Sequence, residues 1–136
     1  MADRTLTLAI MDAPYEAAAS TTAFRIIAAA LAKGIDVNVF AYEGAVSLTV
    51  KEQAPHANPV KGTSVEQEEH PTTKDLVAAL LELGRSEPRL NWVNCGLCVD
   101  ERGAGEAIAG VRRGSPADFW KMAEASQNTL VIATRD

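Results

Sequence analysis

Leu90-Asn91-Trp92-Val93-Asn94 runs straight into Cys95-Gly96-Leu97-Cys98, and this stretch decides how the chain is read. The first five residues are short and largely apolar, with turn residues at Ser86–Pro88 before them. They read as a buried strand. Cys95 then stands at the strand's carboxyl end. Open parallel sheets keep their chemistry beyond that edge.

Working outward, the segment before this strand is helical. Thr72 is a candidate N-cap with Asp75 three residues on, Leu76, Ala79, Leu80 and Leu83 form one apolar stripe, and Gly84 closes it. Further back, Thr5–Met11 reads as a first strand. Phe24, Ile27, Ala28 and Leu31 then mark one helix face, ended by Lys33-Gly34, and Asp36–Tyr42 is a second strand. After Cys98, Ser115-Pro116-Ala117-Asp118 has the form of a helix start: a cap, proline at the first position, an acid in the first turn. Phe119, Met122, Ala123 and Ser126 line that helix, and Leu130–Thr134 is the last strand. Ser47–Pro71 has no clear period. It holds Pro55, Pro59, Gly62 and the run Glu66-Gln67-Glu68-Glu69, and is read as a long loop with a short helix near Ser47–Gln53.

Strand, helix, strand, loop, helix, strand, helix, strand is the order of βαβ units. It predicts an α/β domain whose mainly parallel sheet is covered on both faces, with residues 1–136 as one domain. The chain of 136 residues is 47% apolar and only 5% aromatic, so the core is expected to be aliphatic. Eighteen acids against thirteen bases, a net charge of −5, disfavour nucleic acid and anionic membranes as partners. No apolar run reaches the roughly 20 residues of a membrane span. The N-terminus also does not read as an export signal, so a cytoplasmic location is expected.

Two cysteines three residues apart, in a chain read as unexported, point to redox chemistry, sulfur chemistry or a metal. A thiol acts as a nucleophile only as thiolate, and a helix opening after Gly96, from Val99 onward, would favour that form. Asp100 and Glu101 would oppose it if turned inward, and Arg102 would support it. Three functions compete: a persulfide carrier on Cys95, a dithiol–disulfide couple of Cys95 and Cys98, and a zinc site. Zinc is the weakest, because only His56 and His70, both in the loop, could add ligands. Two buried structural thiols are the plain alternative. A thioredoxin fold is disfavoured, since Trp92 stands three residues before Cys95 and the motif follows the third strand.

Asn94-Cys95-Gly96-Leu97-Cys98-Val99-Asp100-Glu101-Arg102-Gly103 resembles the Cys-Gly-x-Cys-x-Asp-x-Arg-Gly signature of the DsrE/TusD-type sulfur-relay family. Asp12-Ala13-Pro14-Tyr15, the alanine-rich helix up to Gly34 and Glu43-Gly44-Ala45-Val46 are similar to that family's opening βαβ unit. The resemblance implies a flavodoxin-like three-layer α/β/α fold, oligomers based on trimers, and sulfur carried on one cysteine. Its partners would be further copies of the chain, and proteins or small persulfides that give and take sulfur. The family's sulfur-bearing cysteine precedes an Arg-Gly pair by seven residues, which maps the role to Cys95. Within the family DsrE and TusD themselves lack a cysteine matching Cys98, which belongs to a double-cysteine variant, so dithiol chemistry stays open beside it.

Arg102 is a candidate to steady a persulfide anion, or else a surface partner of Asp100 or Glu106. Tyr15 is expected at the same sheet edge as Cys95, lining a pocket or packing on Pro14. Trp92 is expected between sheet and helix, and the acidic run on a solvated face. Gly103-Ala104-Gly105 lacks the spacing of a nucleotide-binding turn, so no nucleotide or flavin cofactor is assigned.

Overall fold

The computed structural model describes residues 4–15, 18–55, 62–68 and 71–133. Five strands form one sheet: β1 Thr5–Ile10, β2 Asp36–Ala41, β3 Leu90–Cys95, β4 Val111–Gly114 and β5 Asn128–Ile132. Their order is β4-β3-β2-β1-β5, and every neighbouring pair is parallel. The helices are α1 Ala19–Ala32, α2 Val65–Glu68, α3 Thr73–Leu83, α4 Gly96–Arg102 and α5 Pro116–Glu124, with a 3₁₀ helix at Glu43–Thr49. The parallel sheet between helical layers is the α/β/α arrangement expected.

Strand residues alternate between faces, and the two faces differ. Leu8, Ile10, Val37, Val39 and Trp92 meet Phe24 and Ile27 of α1 and Val77 and Leu80 of α3 in the main core. Trp92 is fully buried there, 6.3 Å from Phe24 ring to ring, as its expected place between sheet and helix requires. On the other face Phe40, Val93 and Cys95 meet Phe119 and Met122 of α5. That face also carries a polar row across the strands. Arg112 donates to Asn91 at 2.8 Å, Asn91 to Asn38 at 3.2 Å, and Asn38 to Thr7 at 3.3 Å. Thr7 and Ser126 share a hydrogen bond at the far end.

The helix starts follow their sequence signals. Asp118 accepts the Ser115 backbone N–H at 2.8 Å, closing the start of α5. Thr72 caps α3, and its hydroxyl donates to Asp75 at 2.8 Å.

Three expectations need correction. β4 was not foreseen, because Val111-Arg112-Arg113-Gly114 is too short and charged for an apolar-run reading. It is an edge strand, where charge is tolerated. The long loop is structured at its start. The 3₁₀ helix occupies Glu43–Thr49, and Val50 bridges to Ala107. Lys51 N–H donates to the Glu106 carbonyl at 2.8 Å, and Ile108 N–H to the Thr49 carbonyl at 2.9 Å. Finally, α4 begins at Gly96, so both thiols belong to its first turn and not to a turn before it.

Candidate functional site

The register places the site. Ile10, Ala41, Asn94 and Arg113 stand in one row across the strand ends. Two residues beyond that row come Asp12, Glu43 and Gly96. Cys95 closes β3 and caps α4, with φ −65° and ψ 117°, so the chain turns from strand to helix at the thiol itself.

Gly96 leaves room for Arg113. A Cβ there would come within 2.6 Å of Arg113 Nε, so the Arg113 side chain lies close over the glycine. The same guanidinium donates to Asp100 at 3.0 Å. Each group shifts the other. The hydrogen bond from Arg113 holds the Asp100 carboxyl below its usual range, and Asp100 raises Arg113, with Cys95 a lesser contributor. Arg113 therefore sets a positive charge near Cys95. Asp100 engages Arg113, not the thiols.

Cys95 and Cys98 are both free and both buried, at 5% and 8% exposure, among Phe40, Val46 and Val93. Phe40 stacks between Tyr42 and Phe119, with centroids at 5.8 and 5.5 Å. Cys95 stands at the strand end, as expected, but it is not open there. The 3₁₀ helix and α4 pack together over that edge and cover it. Burial pushes the Cys98 thiol up. The hydrogen bond that its sulfur accepts from Glu43 N–H, at 3.1 Å, acts the other way, and hydrogen bonding to Cys95 raises it further. Burial thus favours the neutral form of the Cys98 thiol.

Arg102 pairs with Glu43 at 2.9 Å, and not with Asp100 or Glu106. Glu106 lies 3.8 Å from Lys51. Glu43 sits at φ 51°, a conformation costly for a residue with a side chain, and such strain tends to gather at functional sites. Its N–H reaches Cys98 while its carboxylate reaches Arg102. Tyr15, also at positive φ (66°), is directed toward the start of α3, where a Thr73 backbone hydrogen bond and Asp75 bear on its hydroxyl. Burial is the largest cause raising its pKa. The structure thus gathers Cys95, Cys98 and Arg102 around Glu43, with Asp100 held beside them by Arg113, and puts Tyr15 against α3. His56 and His70 lie outside the described residues.

Sequence reasoning missed Arg113, Glu43 and Asp12. Glu43 and Asp12 carried a readable signal, since each follows a strand that ends at the chemical edge of a parallel sheet. Arg113 carried none, because its role depends on the unforeseen β4. Among the described residues, no group of three or more His, Cys, Asp or Glu side chains converges on a metal position. Nor is any helix among them long and apolar enough to cross a membrane.

Comparison with known proteins agrees with this architecture. The model of the DsrE/DsrF-like family matches residues 5–132. An uncharacterized protein of Methanocaldococcus jannaschii, MJ0989, is 29% identical over 128 residues, covering 93% of this chain and 97% of its own. The crystal structure of the ychN protein from E. coli superposes with a TM-score of 0.73 at 18% identity. It covers 94% of this chain and 98% of that one, a likeness of fold.

Proposed function

The chain belongs to the DsrE/DsrF-like family, and on that premise we propose that it is a cytoplasmic sulfur-relay protein carrying sulfane sulfur as a persulfide on Cys95. The observation that carries this reading is the asymmetry of the thiol pair. Cys98 accepts a hydrogen bond from Glu43 N–H and burial pushes its thiol up, while Cys95 has the Arg113 guanidinium nearby. A cation there can balance a thiolate or a persulfide anion.

In loading, the Cys95 thiolate attacks the outer sulfur of a donor persulfide, R–S–SH. A bond forms between Cys95 Sγ and that sulfur, the bond between the donor's two sulfurs breaks, and the donor leaves as thiolate. In delivery, an acceptor thiolate attacks the same outer sulfur and Cys95 departs as thiolate. Neither step needs an outside oxidant or reductant. A Cys98 thiolate could instead attack Cys95 Sγ, expelling hydrosulfide and leaving a Cys95–Cys98 disulfide, which a dithiol must then reduce. Keeping Cys98 protonated slows this branch and prolongs the persulfide. Since Cys95 is covered, loading requires the 3₁₀ helix and α4 to part. The exposed Arg102–Glu43 pair across them is worth only about 0.2–1 kcal/mol and is a weak clasp.

The chain is further proposed to work as a homo-oligomer built on threes, alongside donor and acceptor proteins or small persulfides. Exposed Trp120 on α5 and Leu130 and Val131 on the edge strand β5 supply an apolar surface for self-association. A dithiol–disulfide redox protein is the second reading, favoured by two free thiols packed in one buried cluster.

Intact mass after exposure to inorganic polysulfide, with cyanide-releasable sulfur as a check, separates these readings. Cys95→Ser is expected to abolish loading. Cys98→Ser is expected to load and to hold the extra sulfur longer than the wild type. Loading that survives Cys95→Ser defeats the carrier reading. A reversible wild-type disulfide, with turnover lost in both variants, favours the redox one.

A further inference from the structure

Asp12 is the least satisfied polar group described in this protein. It is 4% exposed, and both of its carboxylate oxygens are buried without a hydrogen-bond partner. The Ser20 hydroxyl donates to the Asp12 main-chain carbonyl, not to the carboxylate. Buried polar groups are nearly always hydrogen-bonded, and an unpaired buried carboxylate is among the costliest exceptions. The surroundings of this group suggest a partner for it.

Asp12 forms part of the wall of a cleft of about 570 Å³, together with Tyr42, Glu43, Ser47 and Arg102. That volume suits a small molecule. The walls are firmly built. Tyr42 N–H donates to the Ile10 carbonyl at 3.0 Å, and Ala45 N–H to the Met11 carbonyl at 3.1 Å. Gly44 lies so close to Ala13 that a Cβ would meet the Ala13 backbone nitrogen at 2.9 Å. The cleft lies beyond the carboxyl ends of β1 and β2, the edge at which open parallel sheets hold their ligands.

The charges select the ligand. Asp12 and Glu43 supply two carboxylates, and the one cation among the described lining residues, Arg102, already pairs with Glu43. This leaves the Asp12 charge unanswered. Ser47 and Tyr42 also line the cleft, and each carries a hydroxyl that can accept. A compact donor of several hydrogen bonds is wanted, and a primary ammonium provides three.

We propose that this cleft is a binding site for a small molecule bearing a primary ammonium group, with Asp12 as its counter-ion. The assignment stands apart from the thiol chemistry and survives if Cys95 proves not to carry sulfur.

The test is an NMR titration of the isotope-labelled full chain near neutral pH. The probes are n-butylammonium, neutral 1-butanol of similar shape, and butyrate. Butylammonium is expected to shift the Ala13 and Gly44 amide signals saturably, and the other two are not. Asp12→Asn is expected to weaken butylammonium binding by at least about tenfold, as loss of a charge-assisted hydrogen bond implies. The same variant should melt at the wild-type temperature or above, because it removes an unpaired buried charge. Equal shifts from butanol, no saturable shift in the wild type, or undiminished binding by Asp12→Asn overturns the proposal. Should Asp12→Asn fail to fold, the wild-type contrast between butylammonium and butanol decides alone.

Discussion

The face of the sheet under α1 and α3 buries Leu8, Ile27, Val39, Val77 and Trp92 completely, whereas α5, on the opposite face, buries none of its residues. The first face is a finished aliphatic core. The second mixes an aromatic and thiol cluster with the polar row from Arg112 to Ser126, and beside it Trp120 and Val131 are 65% and 59% exposed. The difference separates what holds this chain together from what it uses. Burial on the α1/α3 face supplies stability. The α5 face holds the two free thiols and leaves apolar surface uncovered.

Paired tryptophan changes test this division and carry the largest expected effect. Trp92→Ala should cost about 3–5 kcal/mol in chemical denaturation, since it empties a fully buried site. Trp120→Ala should leave the stability of an isolated subunit within about 0.5 kcal/mol. Its effect should appear in light scattering, as smaller assemblies. A wild type that stays monomeric across micromolar concentrations contradicts the self-association reading. A large stability loss in isolated Trp120→Ala subunits would show that α5 belongs to the core after all.

A smaller effect concerns pH. Cys98 has a folded-state pKa raised by burial, so its neutral form favours folding. That contribution is fully present below the ordinary thiol pKa of about 8.5 and is lost as pH rises through the folded value. Denaturation midpoints should therefore fall less steeply in the alkaline range for Cys98→Ala than for the wild type. Tyr15 and Tyr42, whose pKa values are also raised by burial, titrate in both proteins and cancel in the comparison. Identical slopes would mean that the Cys98 thiol is not held neutral by the fold.

The same division explains what could be read from the sequence. The α1 stripe, the α3 stripe with Gly84 and the β3 run all belong to the buried face, where period and composition are set by packing. They were legible for that reason. So was the Ser115–Asp118 helix start, because capping is local chemistry. β4 was hidden because an edge strand of four residues with two arginines carries no apolar period. Arg113 was hidden with it. The cover over Cys95 was hidden because it depends on the 3₁₀ helix and α4 meeting across a gap of about fifty residues in sequence. Asp12 was in plain view as a residue, but its missing partners are a property of the folded surroundings alone.

The central claim is that sulfur rides on Cys95 while Cys98 waits beside it as a thiol. Peptide mapping of the wild-type protein after brief polysulfide treatment, with free and persulfide sulfurs trapped by an alkylating agent under native conditions, tests this most directly. The account expects one added sulfur atom, located on Cys95, and a Cys98 in the same peptide that carries no added sulfur. Added sulfur located on Cys98, or no added sulfur on either residue, would contradict it.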